Sequence, residues 1–157
     1  ESVLMAAGYR VKRAPALLAC CTRFAGTDDE RLAAILRMAD DDEIDIALAL
    51  RGGYGLSRLL DRIDFERIAR RNTLWVGHSD FTVFQTALLA HGGPPSLHGP
   101  MLVNFGAEAP SAFMLEHFFR ILDHPEFFYR DGLPVRETAA QTRAGRLIPD
   151  EKMIILR

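Results

Sequence analysis

The 157-residue sequence has few cysteines, no long apolar run and no excess of one charge. Its two cysteines, Cys20 and Cys21, are adjacent, and neighbouring cysteines pair only with strain, so a disulfide framework is excluded. Two ligands are also too few for a zinc site. This usage is typical of a protein from a reducing compartment, and we expect the two thiols to serve local packing.

Apolar stretches are too short for a membrane protein, since none approaches the ~20 residues that a spanning helix needs. The first residues, Glu1 to Met5, have neither the basic start nor the small-residue cleavage site of a secretory signal. We therefore expect a cytoplasmic protein that does not contact the membrane. The sequence does not begin with an initiator methionine, which leaves its natural start open.

Charges of the two signs nearly balance: 19 Lys and Arg stand against 21 Asp and Glu, for a net charge of -2. That balance gives no electrostatic footprint for nucleic acid or for an anionic membrane. A hydrophobic fraction of 48% and a charged fraction of 25% are ordinary for a globular protein, which argues against disorder or a coiled coil. The length fits one domain, or one half of a two-domain enzyme.

Segments typical of strands and of helices alternate along the chain. The pattern predicts strands at 9–13, 44–50, 73–76 and 96–98, and helices at 27–39, 56–60, 65–71, 81–91 and 110–122. Thr27 and Glu30 form the capping-box pattern that opens a helix. The alternation predicts a doubly wound, mostly parallel α/β sheet of flavodoxin-like type, whose sites form at the carboxyl ends of the strands.

A glycine-rich turn, Gly52 to Gly55, directly follows one predicted strand. Glycines there allow positive φ and let a ligand approach backbone N–H groups closely. The dinucleotide-binding pattern fails because Arg58 stands where its third glycine would be, and no Gly-Lys-Ser/Thr ends a phosphate loop. On spacing alone we favour a tight strand-to-helix turn, and a nucleotide-binding domain is the weakest interpretation.

A second turn carries a serine at the hinge between a buried strand and a helix. Gly77 permits a sharp bend, so that the Ser79 Oγ projects as in a nucleophile elbow, and the Asp80 N–H could help to stabilise an oxyanion. Phe81 replaces the second glycine of the G-x-S-x-G pattern, however. On pattern alone we favour Ser79 as an ordinary helix cap, with Asp80 favourable in the first turn.

Three motifs that occur in order change this weighting. They are RGGYG at 51–55, VGHSDFT at 76–82 and HGPM at 98–101. Together they resemble the amino-terminal domain of the LD-carboxypeptidases, serine peptidases whose relatives include the microcin C immunity hydrolases. The resemblance runs from about residue 8 to about residue 122. It implies hydrolysis of the amide before a terminal D-amino acid in cytoplasmic murein peptides, with no cofactor and no metal.

The resemblance implies roles for four residues of the two turns. Ser79 is expected to be the nucleophile, and the N–H groups of Asp80 and Gly53 are expected to form the oxyanion hole. Gly52 is expected to contact the substrate. Two loops at neighbouring strand ends would then converge, one bringing the hydroxyl and the other a backbone donor.

The activating base is expected to be missing from this sequence. The family takes it, a histidine oriented by a glutamate, from a second, carboxy-terminal domain, and nothing after Leu122 resembles that domain. His78 is a poor candidate base because it is adjacent to the nucleophile, and we expect a structural role for His98. We therefore expect a nucleophile-bearing domain at 1–125 and a remnant of linker or second domain at 126–157.

Two interpretations of the function follow. The chain is either a truncated LD-carboxypeptidase with little activity alone, or a non-catalytic module that binds small peptides on the same fold. An exposed face left by the absent domain would favour a homodimer.

The sheet is expected to be incomplete, because the family's first strand has no counterpart before residue 1. The apolar run Met153–Leu156 has the length of a buried strand and could fill that central position. We favour a frayed tail over this alternative.

Overall fold

A five-stranded parallel sheet forms the centre of the fold in a computed structural model that describes residues 1–15, 17–123 and 153–156. All neighbouring pairs of strands are parallel, and the order across the sheet is β1-β5-β2-β3-β4. The predicted α/β fold with a parallel sheet is confirmed. The strands are β1 (Val11–Arg13), β2 (Ile46–Ala49), β3 (Leu74–Gly77), β4 (Leu97–His98) and β5 (Met153–Leu156).

Helices connect the strands in the described residues. They are α1 (Ser2–Ala6), α2 (Asp28–Asp40), α3 (Phe65–Ala69), α4 (Phe81–Ala90), α5 (Leu102–Phe105) and α6 (Ala112–Asp123), with a 3-10 turn at Leu60–Arg62. The capping box of α2 is confirmed: the Glu30 N–H donates to Thr27 Oγ1 at 3.2 Å, and the Thr27 N–H donates to Glu30 Oε2 at 2.7 Å.

A separate apolar core lies on each face of the sheet, because successive strand residues point to opposite sides. In β2, Ala47 and Ala49 join the core that α2, α3 and α4 complete, whereas Ile46 and Leu48 join the core of α1, α5 and α6. All four side chains are buried. Burial on both faces is the property that defines a doubly wound sheet and explains the nearly continuous apolar run of this strand.

Strand β5 lies between β1 and β2, at the position expected to be empty. Its backbone pairs with Val11–Arg13 on one side and with Ala47 to Ala49 on the other. The favoured frayed tail is therefore wrong, and the alternative strand is confirmed. The physical reason is that β1 and β2 would otherwise leave unpaired N–H and C=O groups in the middle of the sheet. The boundary at residue 125 stays a prediction, since residues 124–152 lie outside the described residues.

Several local predictions are wrong. The apolar residues Leu89 of α4 and Phe113 of α6 do not join a core, since their side chains are 66% and 70% exposed. Leu89 lies about 100° around its helix from buried Leu88, and Phe113 lies about 140° around its helix from buried Phe118. Cys20 and Cys21 are also exposed rather than packed. Residues 56–60 form turns, because the Leu59 N–H bonds to the Leu56 carbonyl three residues back.

No helix among the described residues is both long and apolar enough to cross a membrane.

Candidate active site at two strand ends

Ser79 lies at the bend that joins β3 to α4. Its φ is 60°, in the left-handed region that residues other than glycine rarely adopt. The helix is capped at Asp80, and no side chain donates or accepts a capping hydrogen bond there. The ordinary helix cap that the pattern favoured for Ser79 is therefore wrong. A strained, exposed serine between strand and helix is the geometry of a nucleophile elbow.

Gly77 allows this bend because a side chain would not fit. A Cβ at Gly77 would lie 2.7 Å from Cδ1 of Phe81 and 3.0 Å from Cβ of Ala49, both of which are buried core residues. The helix can therefore start directly above the end of β3. This close packing holds the first turn of α4 against the strand and exposes the serine at its tip.

The glycine turn, residues 51–56, meets Ser79 from the neighbouring strand. β2 and β3 are paired in parallel, so their carboxyl ends lie side by side. A Cβ at Gly52 would lie 3.0 Å from Ser79 Oγ and 2.9 Å from Asp80 Oδ1. Gly53 and Tyr54 have φ of 146° and 59°, which bends the turn sharply at this point. The space beside the serine hydroxyl thus exists because Gly52 has no side chain.

The Asp80 carboxylate joins the two turns. Its Oδ1 accepts from the Gly53 N–H at 2.9 Å, and its Oδ2 accepts from the Leu56 N–H at 3.4 Å. The Gly53 N–H is one of the two expected oxyanion donors, and in this structure it donates its hydrogen bond to the Asp80 carboxylate. Within the described chain, no hydrogen bond takes up the N–H of Asp80 or of Gly52. The oxyanion roles of Gly53 and Asp80 stay predictions.

Two exposed arginines hold carbonyl groups of the glycine turn. Arg51 Nη1 donates to the Gly52 carbonyl at 2.9 Å, and its Nη2 donates to the Arg23 carbonyl at 2.8 Å. Arg23 Nη2 donates in turn to the Gly53 carbonyl at 3.2 Å. These bonds attach the loop before α2 to the turn that lies beside Ser79.

Arg31 supports the far end of the turn from inside the protein. Its side chain is buried, its Nη1 donates to the Gly55 carbonyl at 2.7 Å, and its Nη2 forms an ion pair with Asp28. The guanidinium lies 4.8 Å from the ring centroid of Phe24, a cation–π contact. Asp28 also accepts from Arg58, and the hydrogen bonds of Arg58 and then Arg31 hold the pKa of Asp28 below its usual value.

A cleft opens between the loop before α2 and the two turns. Its polar wall consists of Arg23, Arg51, Gly52, Gly53 and Asp80, with Arg31 and Gly55 deeper. Ser79 does not line the cleft itself. It precedes Asp80 in the sequence and its Oγ lies beside Gly52, and both of these residues line the cleft. The floor is apolar, formed by Phe24, Ala25, Ile35, Ala49, Leu56, Leu59 and Phe81.

No histidine among the described residues contacts the Ser79 hydroxyl by a hydrogen bond. The rings of His78 and His98 lie near each other, with centroids 6.2 Å apart, and His98 is exposed. In the same residues, no group of three or more His, Cys, Asp or Glu side chains is placed to hold a metal ion. The chemistry that the described residues offer is a hydroxyl, backbone N–H groups and guanidinium groups.

The family model described as the LD-carboxypeptidase N-terminal domain matches residues 1–99, a range that contains both turns. The chain belongs to the LD-carboxypeptidase family. A protein named probable murein peptide carboxypeptidase, from Bacillus subtilis, is 33% identical over 143 residues, which are 90% of this chain and 45% of that protein. The murein tetrapeptide carboxypeptidase of Pseudomonas aeruginosa is 36% identical over 89 residues, 56% of this chain and 29% of that protein.

Solved structures of LD-carboxypeptidases and their relatives have the same fold. The muramoyltetrapeptide carboxypeptidase of Oxalobacter formigenes superposes with a TM-score of 0.71 at 43% identity, over 79% of this chain and 42% of that one. The microcin self immunity protein MccF superposes with a TM-score of 0.72 at 23% identity, over 77% and 37%. This LD-carboxypeptidase chain therefore spans less than half the length of these relatives, and the predicted family and fold are confirmed.

Sequence reasoning found both turns but missed the arginines that hold them. Arg51 is the first residue of the RGGYG motif, but the motif did not indicate a role for its side chain. No sequence pattern around Arg23 or Arg31 indicated a role at the site. Arg23 bonds to Gly53, 30 residues away, and Arg31 bonds to Gly55, 24 residues away. These contacts depend on the fold and not on the local sequence.

Proposed function

We propose that this chain carries the nucleophile of a serine LD-carboxypeptidase that hydrolyses the amide before the terminal D-amino acid of a murein peptide in the cytoplasm. The observation that supports it is the strained φ of 60° at Ser79, whose Oγ lies beside Gly52 at the ends of two neighbouring parallel strands. The names of two relatives, a probable murein peptide carboxypeptidase and a murein tetrapeptide carboxypeptidase, support murein peptides as the substrate class.

The proposed reaction begins with Ser79. Its Oγ attacks the carbonyl carbon of the scissile amide, a C–O bond forms, and the hydroxyl proton passes to a base. The carbonyl oxygen becomes an oxyanion. When this intermediate collapses, the C–N bond breaks and the D-amino acid leaves with a proton on its amine. Water then hydrolyses the acyl-serine ester and restores the hydroxyl.

The oxyanion would be stabilised by backbone N–H groups of the two turns. The Asp80 N–H is available for this, since no described residue accepts it. The Gly53 N–H would have to share or release its bond to the Asp80 carboxylate before it could donate to substrate. Gly52 would leave room for the reacting carbonyl beside the hydroxyl. One such donor contributes about 3 kcal/mol to lowering the barrier.

Turnover by this chain alone is expected to be slow, because no described side chain accepts a hydrogen bond from Ser79 Oγ. A serine hydroxyl is a weak nucleophile until a positioned base takes its proton. Serine proteases from which a triad member is removed still exceed the uncatalysed reaction by roughly 10³–10⁴-fold, through the oxyanion hole and substrate binding. We expect a comparable residual rate here, which a high protein concentration would make measurable.

Release of D-alanine from a murein tetrapeptide tests the proposal. The chain is incubated at high concentration with the tetrapeptide, and free D-alanine is followed by chromatography against a protein-free control. Ser79→Ala should reduce release to the protein-free rate. Ser57→Ala is the matched control, since Ser57 is an exposed serine of the adjoining turn whose Oγ only bonds to the Tyr54 carbonyl. Equal release by the chain and by Ser79→Ala would disprove the nucleophile assignment.

The second candidate is a peptide-binding module without catalysis. It is favoured by the lack of a base among the described contacts of Ser79. Such a module would bind the tetrapeptide equally before and after Ser79→Ala, and neither protein would release D-alanine. Loss of release on Ser79→Ala would reject this candidate. A homodimer remains a prediction for either function.

A further inference from the structure

Two arginines beside the nucleophile hold charge that no described carboxylate neutralises. Arg23 and Arg51 are exposed, and neither forms an ion pair within the part of the chain that the structure describes. Six of the twelve arginines in the described residues behave differently. Those that pair with an aspartate or glutamate are Arg13, Arg31, Arg58, Arg62, Arg67 and Arg71.

Both arginines line the same cleft as the two turns. Arg51 Nη1 lies 2.8 Å from the position that a Cβ of Gly53 would take, and Arg23 reaches the carbonyl of the same glycine. The preceding residue, Gly52, is the one whose Cβ would lie 3.0 Å from Ser79 Oγ. Gly52 and Gly53 are consecutive residues, with Cα atoms ~3.8 Å apart. The serine hydroxyl and the two guanidinium groups therefore lie against neighbouring residues of the glycine turn.

The carbonyl bonds fix the guanidinium groups without neutralising them. An arginine has five N–H donors, and Arg51 uses its two terminal nitrogens on backbone carbonyls while Arg23 uses one. N–H donors therefore remain on both guanidinium groups, and donors of this kind bind carboxylates. The Asp80 carboxylate is the nearby negative charge, and both of its oxygens accept from backbone N–H groups of the turn.

We propose that Arg23 and Arg51 bind the terminal carboxylate of the peptide substrate on the leaving-group side of Ser79. The proposal rests on the proposed function. An enzyme that removes one terminal residue places the carboxylate of that residue within one residue of the scissile carbonyl. Recognition of the carboxylate charge at that distance selects a chain end over an internal peptide bond. Of the three described arginines that line the cleft, Arg31 is paired with Asp28, and Arg23 and Arg51 have no ion pair with a described carboxylate.

A purely structural role for the same arginines makes a different prediction. Arg51 joins the Arg23 carbonyl to the glycine turn and could serve only to brace that loop. Loss of a brace would weaken the binding of every peptide alike, whatever its terminus. Loss of a carboxylate site weakens only peptides that carry the charge.

Binding of two probes to the Ser79→Ala chain tests the proposal by calorimetry. The probes are a murein tetrapeptide ending in D-alanine and the same peptide with a terminal carboxamide. The acid should bind roughly 10- to 100-fold more tightly than the amide, as is usual for hydrogen bonds to charged groups. Arg51→Gln and Arg23→Gln should each reduce this ratio several-fold and leave the amide's affinity unchanged. Arg51→Lys should keep part of it.

Arg37→Gln is the matched control, because Arg37 is exposed on α2, lies outside the cleft and has no ion pair with a described residue. It should leave the ratio intact. Equal binding of acid and amide by the Ser79→Ala chain would overturn the carboxylate site and leave the serine mechanism standing. Equal weakening of both peptides in the arginine variants would do the same. No binding of either peptide would overturn the proposed function together with this site.

Thermal unfolding of each variant shows whether it folds. If Arg51→Gln does not fold, the acid-to-amide ratio of the Ser79→Ala chain and the Arg23→Gln variant decide the question without it.

Discussion

The two turns that meet at the candidate site are held in different ways. The serine turn, residues 77–81, is shaped by its own chain, through the missing side chain of Gly77 and the left-handed φ of Ser79. The glycine turn is held by side chains from elsewhere, since Asp80, Arg31 and Arg23 bond to its backbone from 24 to 30 residues away in the sequence.

The geometry of the candidate site is therefore fixed by two different kinds of interaction, one local and one between distant residues. Local geometry fixes where the hydroxyl points, because Ser79 takes a left-handed φ while Phe81 packs directly against Gly77. Distant contacts fix where the backbone donors lie relative to that hydroxyl. A substitution in the first turn should therefore change the serine itself, and one in the partners of the second turn should change the distance between the two turns.

Gly52→Ala should give the largest effect, because the new methyl group would occupy the space 3.0 Å from Ser79 Oγ. We expect D-alanine release to fall roughly 100-fold or more, as is usual when reacting groups are displaced by about 1 Å. Stability should change little, since the atoms nearest to the methyl group are side-chain atoms. Gly106→Ala is the control, because its Cβ would have no neighbour closer than 3.7 Å. Unchanged release by Gly52→Ala would place the reaction elsewhere.

Gly77→Ala should destabilise the whole fold, since the added Cβ would lie 2.7 Å from Phe81 and 3.0 Å from Ala49 in the core. Overpacking of this kind lowers the free energy of unfolding by about 1–3 kcal/mol. Urea denaturation of the variant measures the change, with Gly106→Ala again as the reference. A loss of release without any loss of stability would show that the bend is not held by packing.

Asp80→Ala should loosen the glycine turn while leaving the serine turn in place. Loss of the bonds from the Gly53 and Leu56 N–H groups should lower the free energy of unfolding by about 1–2 kcal/mol. Asp80→Asn keeps one acceptor oxygen, and its free energy of unfolding should therefore fall by less than that of Asp80→Ala. Hydrogen exchange at these two N–H groups should accelerate in Asp80→Ala and not in Asp61→Ala, a substitution of an exposed aspartate. Unchanged exchange would contradict the long-range support of this turn.

Acid should weaken the support of the glycine turn more gently. The pKa of Asp28 is held below its usual value, near 4, by Arg58 and Arg31, so its contribution to stability is complete above that value. The contribution is lost as the pH falls through the lowered pKa. Urea denaturation between pH 2 and 6 should show stability falling below about pH 4. Asp28→Asn should make the free energy of unfolding depend less steeply on pH. An unchanged slope would exclude Asp28 as the group responsible for the loss of stability in acid.

Much of the fold could be predicted from the sequence. The apolar run of β2, the capping box at Thr27 and the glycines after two strands are local signals, and each lies where it was predicted. The wrong assignments were those in which a neighbour decides the outcome. Met153–Leu156 forms a strand because β1 and β2 pair with it, and residues 56–60 form turns at the end of a loop that Asp80 holds.

The candidate site shows the same division. Ser79 and the glycine turn could be found from their motifs, and the family match covers both. The arginine contacts could not, because an arginine on a surface loop has the same sequence signature whether it faces solvent or a distant carbonyl. The hydrogen bond from the Gly53 N–H to the Asp80 carboxylate could not be predicted either. It depends on the side-chain rotamer of Asp80, which lies on a different loop from Gly53.

The sequence by itself determined the alternation of strands and helices, the position of the serine and the membership of the LD-carboxypeptidase family. These depend on short-range chemistry, namely burial patterns, caps and glycine conformations. Only the tertiary structure decided that Met153–Leu156 completes the centre of the sheet and that the charges of Arg23 and Arg51 face the cleft. Pairing of distant strands and convergence of distant loops depend on how the whole chain packs, and no local pattern records it.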